Sequence, residues 1–334
     1  MMRRKLRRPP TRPLRRMAGA SLIELMIAVT IGMIILTAVA LVFVNASSAR
    51  NEVERTSRQI ENGRYAIEVL SDDLRLAGFY GELSVGSLTA PTALPDPCST
   101  TATDWNSAIQ VHIQGYNGGS GAPTSCLPAS LNFQPGTDIL VVRRARTCLA
   151  GVSGCEAVAT GKPYLQVSLC ATEATSYVLG LEGTATFNLT KKNCTTAADK
   201  RQYYVNIYYV STDNGAGQSI PTLKRLEFTG AGWTVAPLVE GIEQLNIEYG
   251  LDTNADGAPD SYVAAPASLA DWMNVMSVKI YVLSRNLEAT PGYTDAKTYQ
   301  LGGLTYTPTL TSYRRHVYSA LVRLSNPAGR RDTP

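Results

Sequence analysis

The stretch from Arg15 to Val44, RRMAGASLIELMIAVTIGMIILTAVALVFV, decides the fold of this chain. A basic segment ends at Gly19, and the small pair Ala20-Ser21 opens a long apolar run that contains one acid, Glu24. The 20 residues after Glu24 carry no charge. As a helix they would span roughly 30 Å, the thickness of a bilayer's hydrocarbon core. A carboxylate at membrane depth costs about 2.5–3.5 kcal/mol, so the sequence predicts a membrane-spanning helix in which Glu24 has a function.

The spacing of Gly19, Ala20 and Glu24 resembles the class III signal of type IV prepilins. In that family a dedicated peptidase cuts after the glycine and methylates the new N-terminus, and an acid occupies the fifth mature position. The resemblance implies a cut between Gly19 and Ala20, with Glu24 as that acid; Ala20 stands where the family usually has phenylalanine. Two alternatives stay open: an ordinary signal peptide, cut near Ala46 or Ala49, and an uncleaved membrane anchor.

The net charge of +4 comes from the first 19 residues, which carry eight basic side chains and no acid. Without them, 23 basic residues face 27 acidic residues, a charge of −4. A nucleic-acid partner is therefore not expected. Positive charge before the apolar run predicts that the N-terminus stays in the cytoplasm and that the rest of the chain is exported.

All six cysteines lie in the part expected to be exported, and none forms a C-x-x-C pair. With only two histidines, His112 and His316, a zinc cluster is not expected. Disulfides in an oxidising periplasm fit this composition better. Six cysteines allow 15 pairings, and pairing of sequence neighbours is the favoured one: Cys98 with Cys126, Cys148 with Cys155, and Cys170 with Cys194.

A single long helix is predicted from Ser21 to Ala77, because no proline lies between Pro13 and Pro91 and Gly78 is a natural helix end. Beyond the apolar run, apolar residues recur at helical spacing. We expect this stripe to cover the protein's own sheet: Val53, Ile60, Ile67, Leu70, Leu74 and Ala77.

After Gly78 the pattern is that of β-strands, with alternating or apolar runs separated by loops rich in Gly, Ser, Thr and Pro. The expected strands are Thr137–Ala145, Tyr164–Ala171, Tyr203–Ser211, Thr222–Phe228, Ile242–Tyr249, Val275–Ser284 and Tyr318–Leu324. The fold class is therefore α+β, with a long N-terminal helix followed by a β-rich antiparallel head. This layout resembles that of type IV pilins.

Three segments resemble the PilW family of minor pilins. Glu61 to Gly81 reads ENGRYAIEVLSDDLRLAGFYG and resembles the signature that ends the family's long helix. Leu238 to Tyr262 (LVEGIEQLNIEYGLDTNADGAPDSY) and Tyr313 to Asn326 (YRRHVYSALVRLSN) are similar to two further PilW segments.

The resemblance implies three domains: a cleaved leader (1–19), a transmembrane and amphipathic helix (20–78) and a periplasmic or extracellular head (79–334). It implies a minor pilin that helps to initiate type IV pilus assembly at or near the tip, with roles in twitching motility and cell adhesion. The implied partners are other minor pilins and the major pilin through the helix, the prepilin peptidase, the inner membrane and a tip adhesin. Before assembly the chain would sit in the inner membrane, and afterwards in the extracellular pilus.

Enzymatic chemistry is not expected, because the two histidines lie far apart and no G-x-S-x-G, P-loop or H-E-x-x-H motif occurs. One loop does suggest a ligand. Asp252, Asn254, Asp256 and Asp260 occupy positions 1, 3, 5 and 9 of an EF-hand-like loop, and the Ala258 carbonyl takes position 7. Position 12 is Val263 rather than the usual Glu. The sequence thus predicts weak calcium binding, with a polar β-turn as the alternative.

The sequence leaves two other functions open. A type II secretion pseudopilin would share the leader, the long helix and Glu24. A membrane-anchored, calcium-dependent adhesive module would rest on the loop at Asp252 alone.

Overall fold

The computed structural model describes Gly19 and residues 21–230 and 232–331. The first element is helix α1, Leu22–Arg75, 54 residues long. The chain divides into two compact units, residues 1–54 and residues 55–334. The predicted cleaved leader lies outside the described residues, apart from Gly19.

In the first unit, α1 is almost wholly apolar from Leu22 to Val44 and becomes polar after that. Helix α1 is the one helix in the described part of the chain that is long and apolar enough to cross a membrane. The two threonine hydroxyls of the apolar run bond within the helix: Thr30 Oγ1 donates to the carbonyl oxygens of Met26 (3.0 Å) and Ile27 (2.9 Å), and Thr37 Oγ1 donates to that of Met33 (2.8 Å). Such back-bonding removes the cost of placing a hydroxyl in an apolar solvent.

The second unit is built from antiparallel sheets. The described strands are β1 (Ile113–Tyr116), β2 (Ile139–Ala145), β3 (Pro163–Val167), β4 (Tyr177–Leu181), β5 (Lys200–Ser211), β6 (Thr222–Phe228), β7 (Trp233–Glu240), β8 (Ile242–Leu251), β9 (Ser261–Val263), β10 (Val275–Arg285), β11 (Tyr299–Leu301), β12 (Leu304–Tyr306) and β13 (Arg315–Arg323). Three short helices accompany them: α2 (Ala102–Ala108), α3 (Leu269–Met273) and α4 (Ser325–Arg331). The predicted α+β class, a long N-terminal helix followed by antiparallel sheets, is confirmed.

The larger sheet has seven strands in the order β1-β2-β5-β3-β4, with β6 paired to β5 and β7 to β6. The second sheet has the order β13-β10-β8-β9, and β11 pairs with β12 in a hairpin. The two larger sheets are joined at Asp138, whose backbone N–H donates to the Leu245 carbonyl (2.9 Å) and whose carboxylate accepts the Ile247 N–H (2.8 Å).

The main core lies between the C-terminal part of α1 and the two sheets. From α1 it takes Ala66, Leu70 and Leu74, and from the turn that follows α1 it takes Ala77; all four are fully buried. A second core packs the loops from Tyr80 to Leu127 against the other face of the larger sheet, through residues such as Trp105, Tyr203 and Tyr209.

The buried stripe of α1 differs from the predicted one. Leu70, Leu74 and Ala77 are buried as expected, but Val53 is 71% exposed and Ile60 is 39% exposed. Their places are taken by Gln59 and Gly63, both buried. The prediction was wrong in the N-terminal part of the stripe because it followed hydrophobicity, whereas this face uses a hydrogen-bonding side chain and a glycine.

Candidate assembly surface and candidate ion site

The start of α1 is organised around Glu24. Ser21 precedes the first helical residue, and its backbone N–H donates to Glu24 Oε2 at 3.1 Å. This is one half of a capping box, in which the acid at the third helical position satisfies the N–H of the capping residue. Glu24 is exposed, so its carboxylate is also open to a second partner.

Gly19 and Ala20 flank the predicted cleavage point. Gly19 is exposed, and a Cβ added to it would meet no atom of the described residues within 4 Å. Ala20 lies outside the described residues.

The apolar run forms a continuous unburied surface. Its large side chains between Leu22 and Val44 are from 48% to 78% exposed. A patch of this extent is unfavourable in water and marks a surface that contacts lipid or protein. The first unit therefore presents an acid at one end of an apolar helix that is open on every side.

The PilW-like segment Glu61–Gly81 fixes the second half of α1 onto the head. Asn62 Nδ2 donates to the Glu240 carbonyl at 3.0 Å. Gly63 lies under the ring of Tyr318, which a Cβ at this position would overlap. Gly78 adopts a φ of 69°, which favours glycine, and ends the helical turn.

Asp73 anchors the same segment to the larger sheet. Its carboxylate accepts hydrogen bonds from Arg144 Nε, from Asn206 Nδ2 (2.8 Å) and from the Tyr208 hydroxyl (2.9 Å). The buried acid is thus fully partnered, and it has a structural role. Helical periodicity did not single out this residue, because its partners are remote in the sequence.

The loop at Asp252–Asp260 forms a closed set of hydrogen bonds. Asp252 accepts the N–H groups of Ala255 (2.7 Å) and Gly257 (2.9 Å), and it forms an ion pair with Arg331 at 2.7 Å. Burial alone would raise the pKa of Asp252, but Arg331 and the two N–H donors outweigh it, and the pKa lies below its usual value.

The other predicted ligands also bond within the loop. Asp260 accepts from the backbone N–H (2.7 Å) and the hydroxyl (2.6 Å) of Thr253, and Asp256 accepts from Asn254 (3.1 Å) and from the N–H of Ala258 (2.8 Å). Among the described residues, no group of three or more His, Cys, Asp or Glu side chains is placed to hold a metal ion. As arranged, the residues do not fit a calcium ion. Calcium binding would require the loop to rearrange, and it stays a prediction.

Three disulfides join Cys98 to Cys126, Cys148 to Cys155, and Cys170 to Cys194. These are the sequence-neighbour pairs. All three lie between α1 and the start of β5, where loops are long and regular structure is sparse. Covalent links therefore hold together a part of the head in which regular structure is sparse.

The two histidines lie in different environments. His112 is buried, and burial, followed by the charges of Arg330, Arg143 and Arg331, lowers its pKa to about 3. His316 is exposed and packs edge-on against Tyr318, with 4.7 Å between ring centroids. The fold does not bring the two together as a catalytic pair.

Comparison with known proteins gives one family match. Residues 207–326 match the family described as PilW, Type IV Pilus-assembly protein W. Among solved structures, a type IV-like pilin from Thermus thermophilus is similar at 13% identity, over 80% of this chain and 98% of that one, with a TM-score of 0.33. Among curated proteins, none matches the chain.

The matched residues begin within β5 and end in the first turn of α4. They contain two of the three segments that resemble PilW, Leu238–Tyr262 and Tyr313–Asn326. The predicted resemblance to the PilW family is therefore confirmed for residues 207–326, and it relates this chain to the pilins of type IV pili.

Proposed function

We propose that this chain is a minor pilin that helps to initiate type IV pilus assembly and is incorporated at or near the pilus tip with other minor pilins. The proposal rests on one observation, the joining of an exposed apolar helix that begins with an acid to a sequence that matches PilW. Among the described residues of the first unit, none covers the apolar surface of the helix. Lipid would cover it before assembly, and the helices of other pilins would cover it afterwards.

Processing would proceed at Gly19. A prepilin peptidase would remove residues 1–19 and methylate Ala20, which leaves the mature N-terminal amine three residues before Ile23 and four before Glu24. In a bundle of such helices, the Glu24 carboxylate would pair with the amine of a neighbouring pilin. Residues 20–78 would form the spine and residues 79–334 the exported head.

The role is structural rather than enzymatic. Two clusters of polar groups in the head form hydrogen bonds and ion pairs inside the fold. One consists of Asp73 and its three donors, and the other of Arg315, Glu243 and Asp295. These groups hold structural elements together, and binding partners would contact the surface of the protein instead. We also propose that the protein contacts the major pilin and a tip adhesin.

The deciding experiment measures piliation and position together. Cells that lack the chain should carry few or no pili, and re-expression should restore their number. Gold-labelled antibodies against the head should mark pilus ends at low copy number. Normal piliation without the chain, or label spread along the shaft, would contradict the proposal. A pseudopilin would instead be needed for protein secretion, with piliation unchanged.

A further inference from the structure

A pocket of about 340 Å³ lies in the second unit, where the end of α3 meets α4. Its volume is at the lower end of the range for small-molecule sites, so a ligand about the size of one amino acid would fill it. Part of the lining is apolar, and three of the four apolar side chains are buried: Val85, Met273, Met276 and Pro327. The pocket can therefore hold an apolar group.

The polar part of the lining is basic. None of the described lining residues is acidic, and two are arginines, Arg330 and Arg331. Arg331 is neutralised within the fold by Asp252 (2.7 Å) and also donates to Asn274 Oδ1 (2.5 Å). Arg330 is exposed and forms no ion pair with any described residue, and its Nη2 donates to the Gly78 carbonyl at 3.3 Å. The charge of Arg330 and its other N–H groups are available to a ligand.

His112 adds a neutral donor to the same pocket. Its Nδ1 is buried without a hydrogen-bond partner among the described residues, and it lies beside Arg330. A Cβ added to Gly78 would lie 2.8 Å from this Nδ1 and 3.2 Å from Arg330 Nη2. Burial lowers the pKa of His112 to about 3, so the ring is neutral and carries one proton. A bare nitrogen is the favourable neighbour of a guanidinium, so we place the proton on Nε2. Because Nδ1 is buried, the Nε2 edge is the part of the ring that lines the pocket.

The donors of the pocket match a carboxylate. Asn274 gives its side-chain oxygen to Arg331, which leaves its NH2 group without a partner among the described residues. The pocket thus offers a guanidinium, an imidazole N–H and an amide NH2. Arginine binds both oxygens of a carboxylate through parallel hydrogen bonds, and the remaining lone pairs can accept from the neutral donors. A phosphate would bring a second negative charge, whereas Arg330 is the one described lining cation without an ion-pair partner.

We propose that this pocket binds a carboxylate that carries an apolar group about as large as a leucine side chain. Arg330 would pair with the carboxylate, and His112 Nε2 and Asn274 Nδ2 would complete its hydrogen bonds. Met273 and Met276 would contact the apolar group, because flexible thioether side chains adapt to ligands of irregular shape. A free organic acid and the C-terminus of a polypeptide share this chemistry. The inference goes beyond the proposed function and does not depend on it.

The test is isothermal titration calorimetry of the full chain in an uncharged detergent, with N-acetylleucine as the probe. A dissociation constant on the order of 1 mM is expected for a ligand of this size. N-Acetylleucinamide has the same apolar group without the charge, and it should bind at least about ten-fold more weakly. Arg330→Met should weaken the binding of N-acetylleucine by a similar factor, because it removes the charged donor. Arg64→Met removes an exposed arginine elsewhere in the second unit and should leave the affinity unchanged.

A second pair of variants locates the ligand. Gly86 lines the pocket, and a Cβ added to it would meet no described atom within 4 Å. Gly86→Leu should therefore fold normally, fill the space and abolish binding. Gly329 is equally open but does not line the pocket, so Gly329→Leu should bind N-acetylleucine as the parent does. Equal melting temperatures of the two variants would show that lost binding is not lost folding.

A short peptide that ends in leucine identifies the source of the carboxylate. If it binds as tightly as N-acetylleucine, the site is supported and its ligand is a polypeptide terminus. If the peptide is excluded while N-acetylleucine binds, the site is supported and its ligand is a free acid. Equal binding of the acid and the amide would overturn the inference, and so would binding that survives both Arg330→Met and Gly86→Leu. No binding of N-acetylleucine at ten times the expected dissociation constant would also overturn it. Piliation is measured separately, so each of these results leaves the proposed function intact.

Discussion

Glu24 can act in two ways, and two substitutions separate them. Its carboxylate caps the helix by accepting the Ser21 N–H at 3.1 Å, and its charge can pair with the N-terminal amine of a neighbouring pilin. Glu24→Gln keeps an oxygen for the cap, since glutamine serves equally at this position of a capping box, but it removes the charge. Glu24→Ala removes both.

The magnitudes of the two roles differ enough to be measured. An unpaired carboxylate at membrane depth costs about 2.5–3.5 kcal/mol, and pairing on assembly would recover this cost. The recovered energy corresponds to roughly a 70- to 400-fold preference for the assembled state. The cap contributes about 0.5–2 kcal/mol, a factor of roughly 2 to 30. If the charge drives assembly, Glu24→Gln should lower incorporation about 100-fold, nearly as far as Glu24→Ala.

The assay compares the amount of chain in sheared pili with the amount left in membranes. The melting temperature of the head should be the same in both variants, because Glu24 lies outside the compact unit that contains the sheets. Normal incorporation of Glu24→Gln together with a defect in Glu24→Ala would refute the charge-pairing role and leave Glu24 as a helix cap.

Three further predictions concern processing, pH and calcium. Gly19→Val should leave the leader attached, as intact mass would show; the new side chain meets no described atom, so misfolding would not explain the result. Burial raises the pKa of Asp138 to about 6, so its stabilising contribution is complete below pH 4 and is lost as pH rises through 6. Between pH 4 and 7, the unfolding free energy of the parent head should therefore fall by about 3 kcal/mol relative to that of Asp138→Asn, as measured by urea titration. A difference between the two proteins that stays constant with pH would contradict the buried-acid argument. The predicted calcium binding requires the loop to rearrange; if it does, calcium at ten times the dissociation constant should stabilise the head by about 1.4 kcal/mol, and Asp256→Ala should abolish this. Identical melting curves with millimolar calcium and with chelator would refute calcium binding by the loop.

Sequence patterns predicted the strands that bury one whole face or both faces. Each of the seven predicted runs overlaps a strand, from β2 to β13. Strand β7 was missed because Pro237 interrupts it. The structure tolerates this proline because β7 is an edge strand that pairs only with β6, and the register shifts beside it. Helix α4 (Ser325–Arg331) was missed because it is short and contains Pro327 and Gly329, two residue types that disfavour helices.

The candidate sites show where sequence reasoning ends. Spacing alone placed Asp252, Asn254 and Asp256 in one polar loop, and the structure does bring them together. Spacing did not reveal that Arg331, 79 residues further along the chain, forms an ion pair with Asp252.

The order of the disulfides along the chain has a consequence for biogenesis. Each pair closes before the next begins: Cys98 with Cys126, then Cys148 with Cys155, then Cys170 with Cys194. If the head is exported from its N-terminal side, as the proposed function requires, each newly exported thiol meets its correct partner as the only one available. Vectorial export then selects one of 15 possible pairings by timing alone. An oxidase should therefore suffice to form these bonds in the cell, with native pairing preserved when the periplasmic disulfide isomerase is deleted.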